Sequence, residues 1–227
     1  FECTQNELIN IDIDLRSRYI FHKYFKVKVF KILDISSEEN ADFIHNLNYP
    51  ITDNNLINNF DLIIDPGTLE HIMNDQQSLL NIFSCLRKDG MYCFTLPANC
   101  QLEHGFRQYS PTFFYDICFS NKGNLLLGNL GLISNLAKID CLPLYKRYDD
   151  EFHKIIDKKL ASKIKIFRNF KYKTGTLINL LNFIGTPILL SGLIRKKTNK
   201  IINFNCTQYI YRNYKLGEVT DSTKDLD

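Results

Sequence analysis

Residues 60–71, FDLIIDPGTLEH, constrain the fold of this chain more than any other segment. They form an apolar run that ends at Asp65, a Pro-Gly turn that contains Gly67, and then Glu70 and His71. Such a run is typical of a buried parallel strand that delivers polar groups into a loop at its carboxyl end. In open α/β sheets, ligands bind at this edge. The segment therefore predicts a parallel sheet with a candidate site in this loop.

A helix and a second strand follow the loop. Asn74 and Asp75 are suited to begin the helix, and the Asp89-Gly90 pair is suited to end it. Apolar residues recur between them at helical spacing, at Leu79, Leu80, Phe83 and Leu86. Residues 91–97, MYCFTLP, then predict the next strand. The length suits the crossover that joins two parallel strands, so this part is predicted to be a β-loop-α-β unit.

Several motifs together resemble a known family. The order FDLIID, TLEHI, LRKDG and a strand ending in LP resembles the fourth and fifth strands of class I S-adenosylmethionine-dependent methyltransferases. Upstream, ILDISSEENADFIHNLNYPI resembles a branch with DxSxxEGA and IIHDLNxPI. Downstream, HGFRQYSPTFFYDIC resembles the GHGFYQFSPxFFY of that branch. The motifs span residues 32–118. The resemblance implies an α/β fold: a Rossmann-like sheet with helices on both faces.

The resemblance also implies a set of cofactor-binding residues. Asp34, at the end of the predicted second strand, would accept hydrogen bonds from the ribose hydroxyls of S-adenosylmethionine, with Ser36 beside it. Asn46 would hold the adenine edge through its amide. Asp65 and Gly67 would line the flank of the cofactor.

On the acceptor side, the resemblance implies that Glu70, His71 and His104 face the methyl acceptor. A sulfonium methyl group is already activated, so the protein mainly aligns the two reactants and, for a hydroxyl acceptor, accepts a proton. The branch implies a small or carbohydrate-type acceptor. A structural interpretation stays open beside this one: Glu70 and His71 would cap the following helix, and His104 would form a turn with Gly105.

The sequence departs from the family at its start. All ten glycines lie at Gly67 or later, so no glycine-rich turn precedes the predicted second strand. The sequence begins at Phe1, Glu39-Asn40-Ala41 replaces EGA, and Asn46 replaces an Asp. These departures favour an alternative function, a non-catalytic methyltransferase-like module that acts as a membrane or partner adaptor. Asp34 and the TLEH loop favour the enzyme.

Composition predicts a folded, reduced protein. The 227 residues are 44% hydrophobic and 23% charged, which suits a globular core. The net charge of +3 does not argue for a nucleic-acid partner, and residues 151–173 carry only local charge with few aromatics. Seven cysteines without a CxxC pair are typical of reduced thiols in the cytoplasm. No metal site and no oligomeric state are predicted.

One globular domain with an elaborated end is expected, in three parts: a methyltransferase-like core at 1–120, a lid or C-terminal helical insertion with a closing strand at 121–216, and a disordered tail at 217–227. The segment LLLGNLGLI predicts a strand or lid, and residues 151–173 predict a basic amphipathic helix. Residues 174–194 carry no charge and are interpreted as a hairpin of two short helices. They could act as a lid or dimer element, contact a membrane peripherally with the basic residues around them up to Lys200, or span it. Residues 201–214 predict the closing antiparallel strand.

Overall fold

The computed structural model describes residues 13–38, 40–134, 137–138 and 187–204. The chain divides into two compact units, Phe1–Tyr49 and Pro50–Asp227. The predicted helix at 151–173 and the tail at 217–227 lie outside the described residues.

Within the described residues of the first unit, there is one helix and a small parallel sheet. The helix, α1, spans Ile13–Phe25. Strand β1 (Leu33–Asp34) pairs in parallel with strand β2 (Phe43–Ile44). The prediction that a strand ends at Asp34 is confirmed.

The second unit is built on a five-stranded mixed sheet with the strand order β3-β4-β7-β5-β6. Strands β3 and β4 are parallel, whereas β7 is antiparallel to both β4 and β5. The strands are β3 (Phe60–Asp65), β4 (Leu86–Asn99), β5 (Leu125–Ser134), β6 (Ala137–Lys138) and β7 (Ile188–Lys196). The parallel crossover predicted from β3 to β4 is confirmed, and LLLGNLGLI forms a strand. A mixed sheet with the parallel pair β3 and β4, a reversed strand inserted between β4 and β5, and helices packed against it is consistent with the Rossmann-like α/β fold that the sequence predicts.

Short helices connect these strands. A single 3₁₀ turn covers Leu69–His71, and α2 spans Asp75–Cys85. The Asn74 side chain caps α2 by accepting a hydrogen bond from the backbone N–H of Gln77 at 3.2 Å, as predicted. Helix α3 (Pro111–Ser120) begins in the same way at Ser110. Helix α2 packs against β4 and α3 packs against β5.

Helix α2 ends four residues earlier than the predicted stop. Leu86 already belongs to β4, where it pairs with Phe60. The pairing then shifts register before Leu62 meets Met91, and Asp89 adopts a φ of 66°. The Asp89-Gly90 pair therefore forms an irregularity within the strand instead of a helix stop, because both residue types tolerate this backbone conformation.

The interpretation of residues 174–194 as a helical hairpin is wrong for the described part, from residue 187 onward. Ile188–Lys196 is strand β7, whose side chains alternate between more and less buried positions. An uncharged apolar run is also what a central strand requires, because both of its faces are covered. The closing antiparallel strand is thus β7, and residues 201–204 carry no strand.

Strand β7 also buries one of the basic side chains that were expected to face a membrane. Lys196 is only 4% exposed, and its ammonium group donates to the carbonyl oxygen of Leu86 at 2.6 Å. No described helix is long and apolar enough to cross a bilayer. Most of the segment predicted to contact a membrane, residues 151–200, lies outside the described residues, so this contact stays a prediction.

The core of the second unit lies between the sheet and its helices. The rings of Phe94 and Phe114 stack with their centroids 4.0 Å apart, and Tyr92 packs beside Phe94. The four described cysteines are free thiols, as predicted for those positions. Burial raises the pKa of Cys85 to about 11, so this thiol stays neutral and unreactive.

Candidate active site

The carboxylate of Asp65 organises the loop that follows β3. Its Oδ1 atom accepts hydrogen bonds from the backbone N–H groups of Gly67 at 3.1 Å and Thr68 at 2.7 Å. Its Oδ2 atom accepts from the hydroxyl of Tyr92, on β4, at 2.7 Å. Asp65 is 5% exposed, and both of its oxygens are engaged within the protein. Asp65 therefore fixes the loop, and a direct contact with a cofactor stays a prediction.

Gly67 fits this loop for two reasons. Its φ of +117° is a conformation that residues with a side chain rarely adopt. A Cβ atom at this position would lie 3.0 Å from the Oε1 atom of Glu70, closer than ordinary contact. The missing side chain thus leaves room for the Glu70 carboxylate.

A second loop, after β4, brings His104 to the same place. The backbone N–H of Phe106 donates to the carbonyl oxygen of Glu70 at 2.8 Å. A Cβ atom on Gly105 would lie 3.0 Å from that oxygen, so the approach depends on glycine. Arg107 strengthens the contact by donating to the carbonyl oxygen of Met73 at 3.0 Å. The two loops are therefore joined by backbone contacts.

Glu70, His71 and His104, called the Glu70–histidine cluster below, lie together at this junction. The Oε1 atom of Glu70 is 3.5 Å from Nε2 of His104 and 3.9 Å from Nε2 of His71. The Glu70 side chain is 1% exposed, whereas those of His71 and His104 are 47% and 50% exposed. The structure thus brings together the three residues predicted to face the acceptor, as a buried acid behind two accessible imidazoles.

Burial raises the pKa of Glu70, and the charge of Asp65 acts in the same direction. A hydrogen bond within Glu70 and the two histidines oppose the shift. The Oε2 atom of Glu70 is buried and has no hydrogen-bond partner among the described residues. An acid with a raised pKa in a loop at a strand end is a functional candidate, because such shifts concentrate at sites of chemistry.

The residues predicted to bind the nucleoside lie in the first unit. Asp34 ends β1, and its Oδ1 atom accepts from the backbone N–H of Ser36 at 2.9 Å. The Oδ1 atom of Asn46 accepts from the backbone and side-chain nitrogens of Asn48 at 3.0 and 2.9 Å. Both side chains thus form local turns, and their roles toward a cofactor stay predictions.

Two tyrosines that support the site were not identified from the sequence. Tyr92 donates to Asp65, and the hydroxyl of Tyr109 donates to the carbonyl oxygen of Leu69 at 3.2 Å. Both are buried. The alternation in MYCFTLP places Tyr92 on the same face of the strand as Phe94, which indicates that it is buried. A buried tyrosine hydroxyl requires a hydrogen-bond partner, so this pattern could have identified Tyr92 as a supporting residue.

The cluster lies at one edge of a Rossmann-like α/β sheet. The strand that carries Asp65 ends in a polar loop, the next parallel strand ends in another, and a reversed strand lies between β4 and β5. No family model and no curated protein sequence matches the chain.

Solved structures similar to this chain include the MccD protein, with 14% identity and a TM-score of 0.39 over 80% of this chain and 85% of that one. A protein described as a sarcosine dimethylglycine methyltransferase from Galdieria sulphuraria is 15% identical, with a TM-score of 0.45 over 82% and 75%. Phosphoethanolamine N-methyltransferase 2 from Haemonchus contortus, solved with S-adenosyl-L-methionine, is 12% identical, with a TM-score of 0.34 over 71% and 38%. With similarity this low, the activity has to be inferred from the site.

Proposed function

We propose that this chain is an S-adenosylmethionine-dependent methyltransferase that acts on a hydroxyl group of a small or carbohydrate-type acceptor. The observation that carries the proposal is the Glu70–histidine cluster, a buried carboxylate behind two half-exposed imidazoles at the carboxyl end of a parallel strand. This edge is the ligand-binding edge of open α/β sheets. The clustering of a proton acceptor with a carboxylate is suited to a hydroxyl substrate.

The first unit supplies the groups proposed for the cofactor, which provides an activated methyl group when bound. Asp34 is half-buried, and within the described part of the chain its Oδ2 atom accepts no hydrogen bond. A ribose diol suits that oxygen, since a carboxylate accepts from two hydroxyls at once. Ser36 lies beside it, and the amide nitrogen of Asn46 offers a donor to an adenine edge, while its Oδ1 atom accepts from Asn48. The donor set therefore fits a nucleoside.

The second unit supplies the groups proposed for the acceptor. His71 and His104 are accessible, so one of them would take the proton of the acceptor hydroxyl. The buried carboxylate of Glu70, behind the two imidazoles, would orient them. Proton acceptance of this kind contributes about 10²- to 10⁴-fold to a rate. The hydrogen bond between the backbone groups of Phe106 and Glu70 fixes the spacing of the two loops, which would orient the acceptor.

Calorimetry with S-adenosylmethionine and its demethylated product tests the cofactor part. The intact chain should bind, and Asp34→Ala should weaken binding by about 1.5 to 3 kcal/mol, the range for a hydrogen bond to a charged group. Glu38→Gln is the matched control, because Glu38 is an exposed acid in the same unit and is expected to leave binding unchanged. No binding at millimolar cofactor would contradict the proposal.

Transfer of a labelled methyl group to a panel of hydroxyl-bearing sugars and small alcohols tests the acceptor part. His71→Asn and His104→Asn should retain cofactor binding, and at least one should lower turnover by about 100-fold. Glu103→Gln, an exposed acid in the same loop as His104, should retain full turnover. Equal turnover in all variants would mean that the histidines only form turns.

A further inference from the structure

We propose that the Glu70–histidine cluster binds a divalent transition-metal ion. The three residues each offer one ligand atom, and these atoms all lie within 4.8 Å of one another. Two imidazoles and one carboxylate form a donor set that zinc and non-haem iron use in proteins. These three residues were grouped on the acceptor side from the sequence, but no metal site was predicted for them.

The distances suit an ion placed between the three side chains. A tetrahedral ion with ligand bonds of about 2.0 to 2.2 Å holds its ligand atoms roughly 3.3 to 3.6 Å apart. The 3.5 Å between Glu70 Oε1 and His104 Nε2 lies in this range, and the 3.9 Å to His71 Nε2 is slightly longer. Both imidazoles are half-exposed and are free to close the difference by small rotations.

The state of the Glu70 carboxylate is a second, independent observation. Its Oε2 atom is buried without a hydrogen-bond partner among the described residues, and both imidazoles are too distant from Oε1 for a strong hydrogen bond. A buried carboxylate in this condition is costly unless a cation compensates its charge. A Cβ atom on Gly67 would lie 3.0 Å from Oε1, and one on Gly105 would lie 3.0 Å from Cγ, so both glycines leave room for the Glu70 side chain. An ion held by Oε1 and the two imidazoles would compensate the charge of this buried carboxylate.

The ion would also activate the hydroxyl group of the methyl acceptor, a role that rests on the proposed function. With three protein ligands, a tetrahedral ion keeps one open position, and the oxygen of an acceptor hydroxyl would bind there and become more acidic. Its proton would leave to water. The oxygen would then form a bond to the methyl carbon as the carbon–sulfur bond breaks, leaving a neutral thioether. The methyl transfer and the acceptor of the proposed function are kept, and the ion, with His71 and His104 as its ligands, replaces the histidine base in activating the hydroxyl.

Metal titrations of the full chain without cofactor or acceptor test the site. Calorimetry with Zn²⁺ should show one ion per chain, and Glu70→Gln, His71→Asn and His104→Asn should each weaken binding by at least roughly tenfold. Glu103→Gln and His45→Asn are matched controls, an acid in the same loop and a histidine of the first unit, and both should bind like the unaltered chain. Circular dichroism would verify folding, and the variants of the two half-exposed histidines serve if Glu70→Gln fails to fold.

The absorption spectrum of the Co²⁺-loaded chain separates this site from binding to the cysteines. We expect visible bands of a four- or five-coordinate site without the near-ultraviolet charge-transfer band of a thiolate ligand. A thiolate band, the absence of binding, or affinity unchanged in all three variants would overturn the proposal. Because no cofactor is present, loss of methyl transfer would not affect this result, and absence of metal binding would leave the proposed function standing.

Discussion

At the scale of single residues, Tyr92 connects the core of the sheet to the candidate site. It is fully buried, and burial together with the nearby Asp65 raises its pKa well above the ordinary value, so the hydroxyl stays protonated and donates. The acceptor, Asp65, holds the turn at Gly67 with its other oxygen. A substitution of Tyr92 therefore affects both stability and the loop that carries Glu70.

Tyr92→Phe should lower the free energy of unfolding by about 1.5 to 3 kcal/mol, because it removes a hydrogen bond to a charged group that stays buried. Tyr109→Phe is the matched comparison, since it loses a bond to a neutral carbonyl oxygen and should cost only about 0.5 to 1.5 kcal/mol. Urea denaturation of both variants measures the difference. A smaller loss for Tyr92→Phe than for Tyr109→Phe would contradict the role given to Asp65.

Asp42, in the first unit, should make the free energy of unfolding depend on pH in the acidic range. Burial opposes its ionisation, but hydrogen bonds from the backbone of Ile32 and from Arg18 and Lys31 outweigh it and lower the pKa to about 2. The stabilisation is therefore present above the ordinary value of 3.8 and is lost as the pH falls through about 2. It amounts to about 1 to 2 kcal/mol after allowance for solvent screening.

Asp42→Asn tests this dependence. Urea denaturation at about pH 6 should show the variant less stable than the unaltered chain, and the gap should close toward about pH 2. Asp61→Asn is the control, because the Asp61–Arg87 pair is exposed and contributes little. A gap that does not change with pH would show that Asp42 acts through packing and not through its charge.

At this scale Glu70, His71 and His104 were identified from the sequence, but Tyr92 and Tyr109 were missed. Asp65, Gly67, Glu70 and His71 follow one another along one loop, so their proximity is local. The approach of His104 depends on the bond between the two loops and on the missing side chain at residue 105, which are non-local features.

At the scale of secondary structure elements, the local capping signal predicted the start of a helix correctly, whereas the uncharged run at 174–194 was assigned to helices in error where it forms β7. Helix α2 begins at the predicted cap because the Asn74 side chain acts on its own neighbours. Strand β7 was missed because an apolar run without charge suits a buried strand and a buried helix alike. Its pairing with β4 and β5 decides the outcome, and that information lies far away in the sequence.

Gly192→Ala tests the packing of β7. A Cβ atom there would overlap the ring of Phe94 and lie 2.8 Å from a methyl carbon of Leu130, so we expect a loss of about 1 to 3 kcal/mol through overpacking. Gly123→Ala is the control, because nothing lies within 4 Å of the added methyl group. Thermal unfolding followed by circular dichroism compares them. Equal midpoints would mean that the strand and the Phe94 ring shift without cost.

At the scale of the whole molecule, the hydrophobic core cluster found among the described residues lies in the second unit. Every residue of the core cluster lies after Tyr49, as do all five strands of the larger sheet. A fragment of residues 50–227 should therefore fold by itself and unfold cooperatively in urea. It should also lose affinity for the cofactor, because Asp34, Ser36 and Asn46 are absent. A fragment without a cooperative transition would show that the first unit is required for folding.

The strand order has a consequence for how the chain is made. Strand β7 is the last strand of the described sheet to be synthesised, yet it lies between β4 and β5. Until it leaves the ribosome, the facing edges of β4 and β5 have no partner, and open strand edges invite pairing with other chains. The long separation along the sequence also slows the closing step. Chains interrupted before residue 188 should therefore be prone to aggregation and dependent on chaperones.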